Sequence, residues 1–412
     1  MRIEPFAPPS NRPRLSTFWI GSQGNTRSGW RHPSASILFL SAMGATLGIG
    51  FEEPRVEYGF EFVIFILAAC WCLGPRKPVP IWPGLALAAI SLWGFVQLAV
   101  GATVYRHASM VGSLRFAALG ATAWVSFRIL GAEGERIRFL RWMAWFGTVI
   151  ALASVLAYFT SPGKILWTFP APYPDVWGPF LSRNNFAQFL ELVMPIALWF
   201  AMREQPPRRL IYLCCSAVML AAGLASASRA GACILLGEAA VMLWLGRRST
   251  VVRRIALQLG IATALCAALP GLGTLGGRLT EHDPFQVRRE IAHSTAAMIA
   301  TRPWTGFGLG TFKAVYPEYA QIDVGQSVDH AHNDWLEWAA EGGLGFAALW
   351  LGLAIWSTRR GLAAGWGIGV LGCFLHALVD YPFARLGVAA WAFILVGMMA
   401  ATDLREVRSR GH

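Results

Sequence analysis

Charged side chains are scarce in this sequence. They make up 14% of the 412 residues, whereas soluble domains carry about a quarter. Hydrophobic residues account for 55% of the chain, and the mean hydropathy is +0.47. A chain of this composition has too little polar surface for an ordinary water-soluble domain, so that class of fold is excluded.

Lysines are few, and the cysteines lack a recognisable spacing. Only three of the 35 basic residues are lysines, and most arginines flank apolar stretches, so the net charge of +12 favours membrane orientation over nucleic-acid binding. The cysteines are odd in number and show neither metal-ligand nor disulfide-framework spacing; they are residues 70, 72, 214, 215, 233, 266 and 373. The sequence therefore predicts neither a zinc site nor a disulfide scaffold.

A cleavable signal peptide is also missing. Residues 1–33 are rich in proline, serine and arginine, and we expect a disordered cytoplasmic tail there. Apolar runs long enough to cross a bilayer predict an all-α integral membrane protein with about twelve transmembrane helices in residues 34–402, and a second cytoplasmic tail at 403–412. The predicted spans are 34–51, 56–74, 81–101, 108–130, 139–159, 186–202, 210–227, 231–246, 255–275, 334–357, 365–380 and 387–402.

The basic residues predict the orientation of these spans. With the N-terminus inside, the cytoplasmic segments hold 23 of the 35 lysines and arginines, and the outer segments hold 11. Short cytoplasmic loops are expected to carry this excess. An even number of spans agrees with the bias, so both termini are predicted to be cytoplasmic.

Two outer segments, about 160–185 and about 276–333, are too long to be simple connections. In the second, Asp283 and Pro284 are typical of a helix start. An apolar stripe follows and ends before Pro303; it consists of Val287, Ile291, Met298 and Ile299. The sequence thus predicts a short amphipathic helix within one long outer loop.

A glycine-rich segment, GFGLG at residues 306–310, follows this helix. Its sequence is close to that of a phosphate-binding glycine loop. However, no strand is predicted before it, and the segment is predicted to face away from cytoplasmic nucleotides. Because the motif binds phosphate only in its strand–loop–helix context, we do not expect a nucleotide site.

The densest polar cluster is DHAHND at residues 329–334, where the long outer loop reaches the tenth predicted span. Asp334 and Glu337 have the spacing of a capping box, so we expect Asp334 to cap that helix. Capping needs one short side chain and therefore does not explain two neighbouring histidines.

His330 and His332 are candidates for acid–base chemistry. An imidazole has an ordinary pKa of about 6.5 and is the usual general base at neutral pH. We expect His332 to be the base, because it directly precedes Asn333 and the helix start, where capping restricts the backbone. His330 is expected to support it. Metal binding through the His-x-His spacing and a purely structural role are the alternatives.

Two arginines lie at outer ends of spans, against the positive-inside trend. Arg183 is followed by Asn184 and Asn185, and Arg229 follows Ser228. A guanidinium offers a rigid fork of donors that suits phosphate oxygens, and the N-terminal amides of the following helix also favour an anion. We expect both arginines to bind an anionic group, supported by the two asparagines. The alternative is that their side chains reach lipid headgroups.

Arg115 is predicted to lie about two turns inside the fourth span. A charge at that depth costs several kcal/mol unless it faces a polar cavity or a partner. Candidate partners are Glu61, Glu191 and Glu238. We group Arg115 with the anion-binding arginines, with simple neutralisation by one of these carboxylates as the alternative.

His376 and Asp380 lie four residues apart near the outer end of the eleventh predicted span. On a helix this spacing allows the carboxylate to hold the imidazole. The sequence leaves open whether they form an orienting pair for the site or simply pack together.

Six motifs resemble those of the O-antigen ligase and polymerase superfamily. They are GPFLSRNNFA (178–187), SASRAG (226–231), RPWTGFGLGTF (302–312), HAHNDWL (330–336), EGGLG (341–345) and HALVDYP (376–382). The motifs are spread over residues 178–383, about half of the chain, while the first five spans match only in topology. They are specific for the superfamily but separate its members poorly.

The resemblance implies a glycosyltransferase in the bacterial inner membrane with a periplasmic site. Such an enzyme moves a glycan from an undecaprenyl diphosphate carrier to an acceptor and needs neither metal nor cofactor. The candidate residues fit this chemistry: we expect His332 to accept the proton of the acceptor hydroxyl, and Arg183 and Arg229 to bind the departing diphosphate. No nucleic-acid partner is implied.

The acceptor is left open by the resemblance. Ligases use lipid A-core, polymerases a second lipid-linked glycan, and related transferases a protein hydroxyl. We favour a ligase, because the long loop is of moderate size and no extra domain follows the last span. An alternative of another class is a flippase or transporter of lipid-linked glycans, which would also place charges within spans.

Overall fold

The computed structural model of the chain describes residues 33–48, 54–74, 80–171, 176–267, 286–321 and 327–410. The predicted N-terminal tail, except Pro33, and the predicted helix start at Asp283 and Pro284 lie outside these residues.

Helices form at each of the twelve predicted apolar stretches, and the described part of the long outer loop contains two further helices. In chain order they are α1 (Pro33–Leu47), α2 (Pro54–Cys72), α3 (Ile81–Ala99), α4 (Arg106–Ile129), α5 (Glu133–Thr160), α6 (Arg183–Arg203), α7 (Arg208–Ala225), α8 (Arg229–Leu245), α9 (Thr250–Ala267), α10 (Gln286–Thr301), α11 (Phe312–Val315), α12 (Asp334–Ala364), α13 (Ile368–His376) and α14 (Leu386–Arg410).

By length and composition, seven helices within the described ranges are able to cross a membrane: α3, α4, α5, α6, α7, α12 and α14. α13 has nine residues, which is too short to cross about 30 Å of hydrocarbon alone. The structure is thus consistent with an all-α membrane protein, whereas the number of twelve crossings stays a prediction. α14 continues to Arg410, through most of the segment predicted to be a C-terminal tail.

Helix α6 lies at the centre of the bundle. Every residue from Asn185 to Met202 is buried, and α5, α7, α8, α13 and α14 pack against it. A helix that is buried on all sides is surrounded by protein, so its polar residues face other helices. The first turn of α6 is therefore well placed to meet residues from several parts of the chain.

Helix α12 is broken at Gly343, whose φ of 82° and ψ of 170° are not helical. A Cβ atom at this position would lie 2.3 Å from the carbonyl oxygen of Trp304. Glycine is thus required both by the backbone angle and by the close approach. The break separates a short N-terminal arm, Asp334 to Gly342, from the longer apolar part of the helix.

The glycine-rich segment 306–310 packs against this arm. The N–H groups of Gly310 and Phe312 donate to the carboxylate of Glu341, at 2.9 and 2.8 Å. The Gln97 amide donates to the Glu341 carbonyl at 2.8 Å and accepts from the Leu309 N–H at 3.2 Å. Amides that would face phosphate in a nucleotide loop are therefore bound by the protein's own side chains.

The two long outer segments contain ordered structure. The predicted amphipathic helix forms as α10, in which Ile291 and Met298 are buried and Val287 is 48% exposed. In the other segment, two-residue strands β1 (Lys164–Ile165) and β2 (Phe169–Pro170) pair antiparallel. α10 packs against α12, and so it forms one wall beside the cluster of polar residues at the start of α12.

Candidate active site

The starts of α6 and α8 lie side by side. The Ser228 hydroxyl donates to Oδ1 of Asn184 at 2.9 Å, and a Cβ on Gly231 would lie 2.4 Å from Cβ of Ala187. The first residues of the two helices are Arg183 and Arg229. Close packing of the helix starts therefore brings the two predicted anion-binding arginines into one region.

Serine caps begin both helices. The Ser182 hydroxyl accepts from the Asn184 N–H, and the Ser228 hydroxyl accepts from the Gly231 N–H, each at 3.2 Å. These caps confirm that each arginine stands at a helix start, where partial positive charge gathers. The two helix N-termini thus bring partial positive charge to one region of the protein.

His332 is paired with Asp380. Nδ1 of His332 lies 3.3 Å from Oδ1 of Asp380, and since an ionised carboxylate only accepts, the imidazole donates through Nδ1. The His332 side chain is 34% exposed and that of Asp380 4%. This arrangement leaves Nε2 of His332 as the atom that accepts a proton, with a buried carboxylate behind it.

Asp380 receives two further contacts. Its Oδ2 accepts from the Asn184 amide at 2.6 Å and lies 4.0 Å from the Arg288 guanidinium. Burial raises the pKa of the Asp380 carboxyl, but the His332 hydrogen bond and the Arg288 charge outweigh burial, so the pKa lies below its ordinary value. Asp380 is therefore held as a carboxylate.

His330 has a carboxylate partner of its own. Its Nδ1 lies 2.9 Å from Oε1 of Glu337, and its ring stacks on Tyr381 with 4.5 Å between centroids. The second oxygen of Glu337 accepts from the Ala331 N–H at 2.8 Å. His330 is thus held by Glu337 on one side and by Tyr381 on the other. These contacts place it beside His332 and do not assign it a chemical role.

The predicted cap of α12 was assigned to the wrong residue. Asn333 is the cap, since its Oδ1 accepts from the Leu336 N–H at 3.1 Å. Asp334 is the first helical residue and accepts from the Phe383 N–H at 2.9 Å. Glu337 binds the loop at His330 instead of completing a capping box. The start of α12 therefore holds both the histidine loop and the segment before α14.

His376 and Asp380 do not form the orienting pair that the sequence left as one of two alternatives. Helix α13 ends at His376, and the Asp380 side chain contacts His332 and Asn184. His376 instead lies 2.7 Å from Oε1 of the buried Glu191. Asn185, a predicted supporting residue, likewise turns inward and donates to Gln188 of its own helix at 3.0 Å.

Arg115 has a partner that the sequence did not suggest. Its Nε lies 3.3 Å from Oε1 of Glu57, and it also donates to the carbonyl oxygen of Ala384. None of the candidates Glu61, Glu191 and Glu238 forms this ion pair, although the Arg115 charge also acts on Glu61. Glu57 fits because α2 and α4 pack together and both begin on the same side of the bundle in the predicted topology.

A cavity of about 810 Å³ lies beside the histidine loop, and Arg183 and Arg229 are not among the residues that line it. This volume lies in the usual range for ligand pockets. It is lined by the starts of α2 and α14, by α10 and by the histidine loop, and its polar residues include Arg115, His330, His332, Tyr381 and Arg385. Both predicted histidines and Arg115 therefore face one shared space.

Two cationic residues of the site were not singled out from the sequence. Arg385 donates to the Tyr381 hydroxyl at 3.0 Å and lies over that ring. Arg385 lies on the predicted outer side, four residues after Tyr381. It therefore departs from the positive-inside trend, as Arg183 does, and the same argument would have selected it. Arg288 donates to the Val379 carbonyl at 2.8 Å, and no local sequence signal marks it.

Two non-glycine residues of this region have left-handed backbone angles. φ is 50° at His332 and 54° at Ala227, which precedes Ser228 and Arg229. This conformation costs roughly 1–2 kcal/mol for an L-residue. Such strain is found where surrounding contacts fix a functional geometry. Here it occurs at His332, the candidate base, and at Ala227, just before the helix start that carries Arg229.

Among the described residues, no group of three or more histidine, cysteine, aspartate or glutamate side chains is arranged to hold a metal ion. His330 and His332 each point Nδ1 at a separate carboxylate. Their geometry is therefore that of two histidine–carboxylate pairs.

Comparison with known families gives a match to part of the chain. Residues 214–351 match the family described as O-antigen ligase. The match covers about a third of the chain and confirms the resemblance to the O-antigen ligase and polymerase superfamily. It supports a ligase or polymerase activity in general, without separating the two. A comparison with curated proteins found no match.

The segment that matches the O-antigen ligase family contains Arg229, His330 and His332. Arg183 and Asp380 lie outside it, one on each side along the chain. The contacts described above nevertheless place Asp380 against His332, and the helix start of Arg183 against that of Arg229. The site thus contains residues from inside and from outside the segment that matches the family.

Proposed function

We propose that this protein is a glycosyltransferase of the inner membrane that joins an O-polysaccharide to lipid A-core on the periplasmic side. The observation that carries the proposal is the His332–Asp380 pair, linked by hydrogen bonds to the helix starts of Arg183 and Arg229. The O-antigen ligase family match supports the same class of activity.

The donor is a glycan on undecaprenyl diphosphate. Departure of the diphosphate leaves negative charge on its oxygens, and cations stabilise such charge most when they are already in place. Arg183 and Arg229 supply the cations, and the first turns of α6 and α8 add N–H groups. The hydrogen bond between Ser228 and Asn184, which joins the two helix starts, supports this shared role.

The acceptor is a sugar hydroxyl. Its oxygen forms a bond to the anomeric carbon of the glycan, and the bond from that carbon to the diphosphate oxygen breaks. The hydroxyl proton passes to Nε2 of His332, and the bonding electron pair leaves with the lipid diphosphate. Asp380 fixes the proton on Nδ1 and stabilises the imidazolium that forms.

The energy for this transfer is already present in the bond to the diphosphate. The reaction therefore requires no nucleotide, metal or cofactor as an energy source. The cavity that the two histidines line accommodates the reacting sugars. The excess of arginine in the cytoplasmic segments supports a periplasmic orientation of this cavity, with both termini in the cytoplasm.

Transfer by purified protein is the direct test. The wild-type protein is mixed with a fluorescent undecaprenyl-diphosphate-linked glycan and lipid A-core, without nucleotide or ion gradient. We expect a fluorescent glycolipid product, and none with His332→Ala. Movement of the glycan lipid across a vesicle membrane without product would instead identify a transporter.

Deletion of the gene distinguishes a ligase, whose acceptor is lipid A-core, from a polymerase, whose acceptor is a second lipid-linked glycan. Lipopolysaccharide is separated on a gel, and lipid-linked glycan is measured in the same cells. For a ligase, the core carries no polymer and full-length lipid-linked polymer accumulates. Lipid-linked material limited to a single repeat unit would identify a polymerase and contradict ligation.

A further inference from the structure

We propose that Asn184 is a positioning residue that fixes the base relative to the diphosphate-binding arginines; this inference rests on the proposed function. Its side chain joins two parts of the site. Oδ1 accepts from the Ser228 hydroxyl at 2.9 Å, and Nδ2 donates to Oδ2 of Asp380 at 2.6 Å. Asp380 in turn holds His332 through its other oxygen.

The chemistry of each group fixes the direction of this chain of hydrogen bonds. A carboxylate only accepts, so the Asn184 amide must present its NH₂ group to Asp380. The amide oxygen is then left for the Ser228 hydroxyl. The asparagine side chain supplies a donor for the carboxylate and, on a separate atom, an acceptor for the hydroxyl, and this position uses both.

The chain of contacts also fixes distances that matter for catalysis. Ser228 precedes Arg229, and Asn184 follows Arg183, so both arginine-bearing helix starts are tied to Asp380. The two hydrogen bonds of the Asn184 side chain, with Ser228 and with Asp380, thereby set the separation between the leaving group and the base. Misplacement of reacting groups by about 1 Å costs roughly 100-fold in rate.

Asn184 acts through Asp380 and not by direct contact with the reacting atoms. With Asn184→Ala, we therefore expect kcat to fall about 10-fold, because the carboxylate loses one of its donors and the imidazole becomes less well oriented. The KM for the lipid-linked donor should change less than about threefold, because Arg183 and Arg229 remain. Asn184→Asp should not restore kcat, since a carboxylate cannot donate to Asp380.

A double-mutant cycle separates positioning from general structure. In an Asp380→Ala background, the base has already lost its orienting carboxylate, so adding Asn184→Ala should lower kcat further by less than about twofold. Thr122→Val is the matched control, since it removes a buried hydroxyl that donates to Ala118 within its own helix. It should leave kcat and KM unchanged.

Melting temperature and folded yield are measured for every variant, and rates are expressed per folded molecule. Three results would overturn the positioning role while leaving the proposed function intact: wild-type kcat in Asn184→Ala, full rescue by Asn184→Asp, or multiplicative effects with Asp380→Ala. Absence of transfer by the wild-type protein itself would instead refute the proposed function, and this inference with it.

Discussion

The carboxylate of Asp380 lies 3.3 Å from Nδ1 of His332, although 48 residues separate them along the chain. The pair forms because Asn333, next to His332, donates its amide to the Leu378 carbonyl at 2.8 Å. The Asp334 N–H also donates to the Ala377 carbonyl at 3.0 Å. The start of α12 is thereby tied to the turn that carries Asp380, and the imidazole has one preferred orientation.

Replacing Asp380 with asparagine should lower kcat by about 100-fold. The amide has nearly the same shape, but it cannot stabilise an imidazolium and can turn its NH₂ group toward His332. Transfer of a fluorescent lipid-linked glycan by purified protein measures the effect. Asp329→Asn is the control, because Asp329 is an exposed aspartate of the same loop that pairs with Lys313. Equal rates in wild type and Asp380→Asn would remove Asp380 from the mechanism.

The lowered pKa of Asp380 predicts how stability depends on pH. Because the folded pKa lies below the ordinary value of about 3.9, the carboxylate stabilises the folded protein fully above that value. This contribution is lost as pH falls through the folded pKa.

Melting temperatures of wild type and Asp380→Asn in detergent test this pH dependence. Their difference should still be present at about pH 5 and should shrink below about pH 4. A difference that disappears between pH 7 and pH 5 would show that the carboxyl becomes protonated too easily for this role.

His332→Ala should cost about 10² to 10⁴ in rate, the usual contribution of a positioned base. His330→Ala should cost less, about 10-fold, because its ring supports Tyr381 and its Nδ1 is held by Glu337. Binding of the lipid-linked donor, measured separately, should persist in both variants. Full activity of His332→Ala together with loss in His330→Ala would reverse the two roles, and activity in both would exclude a histidine base.

Local patterns in the sequence predicted the helices and several site residues. The length of an apolar run can be read directly from the sequence. The polar cluster at residues 329–334 gave His330 and His332 as candidates. Helix starts at Arg183 and Arg229 also follow from local sequence, since each arginine follows a serine with capping geometry. Such features depend on neighbours within a few residues, so no tertiary information is needed.

Partners across the bundle could not be predicted in the same way. Glu57 was missed as the partner of Arg115 because the search considered carboxylates deeper in the spans, whereas the helix starts of α2 and α4 pack together. The partners of His376 and Asp380 could not be decided from their spacing, because α13 ends at His376 and each side chain binds a group on another part of the chain. The end of α13 at His376 depends on packing against α6, α12 and α14, which periodicity does not show.

Loss of either outer arginine should lower transfer strongly. Arg183→Ala and Arg229→Ala each remove a charged donor from the leaving group, and loss of one such donor typically costs about 10² to 10³ in rate. Lysine should restore little, because an ammonium cannot reproduce the planar fork. The exposed Arg302 of the long loop provides the control variant Arg302→Ala. Wild-type transfer by an alanine variant that is present at normal levels in the membrane would exclude that arginine from the site.

Glu341 should control the order of the glycine-rich segment. Its two carboxylate oxygens accept from the N–H groups of Gly310 and Phe312, whereas a glutamine has one oxygen and would turn its NH₂ group toward the other donor. Leaving one buried N–H unsatisfied costs about 1–3 kcal/mol. Glu341→Gln should therefore lower the melting temperature and increase protease cleavage within residues 302–320.

The exposed carboxylate of Glu318 in the neighbouring turn gives the matched variant Glu318→Gln, which should behave as wild type in both measurements. Glu341→Ala should be at least as unstable as Glu341→Gln, because it leaves both amides without an acceptor. If Glu341→Gln melts and is cleaved like wild type, the carboxylate does not order the segment. The contacts of Gln97 with Leu309 and with the Glu341 carbonyl would then be sufficient to hold it.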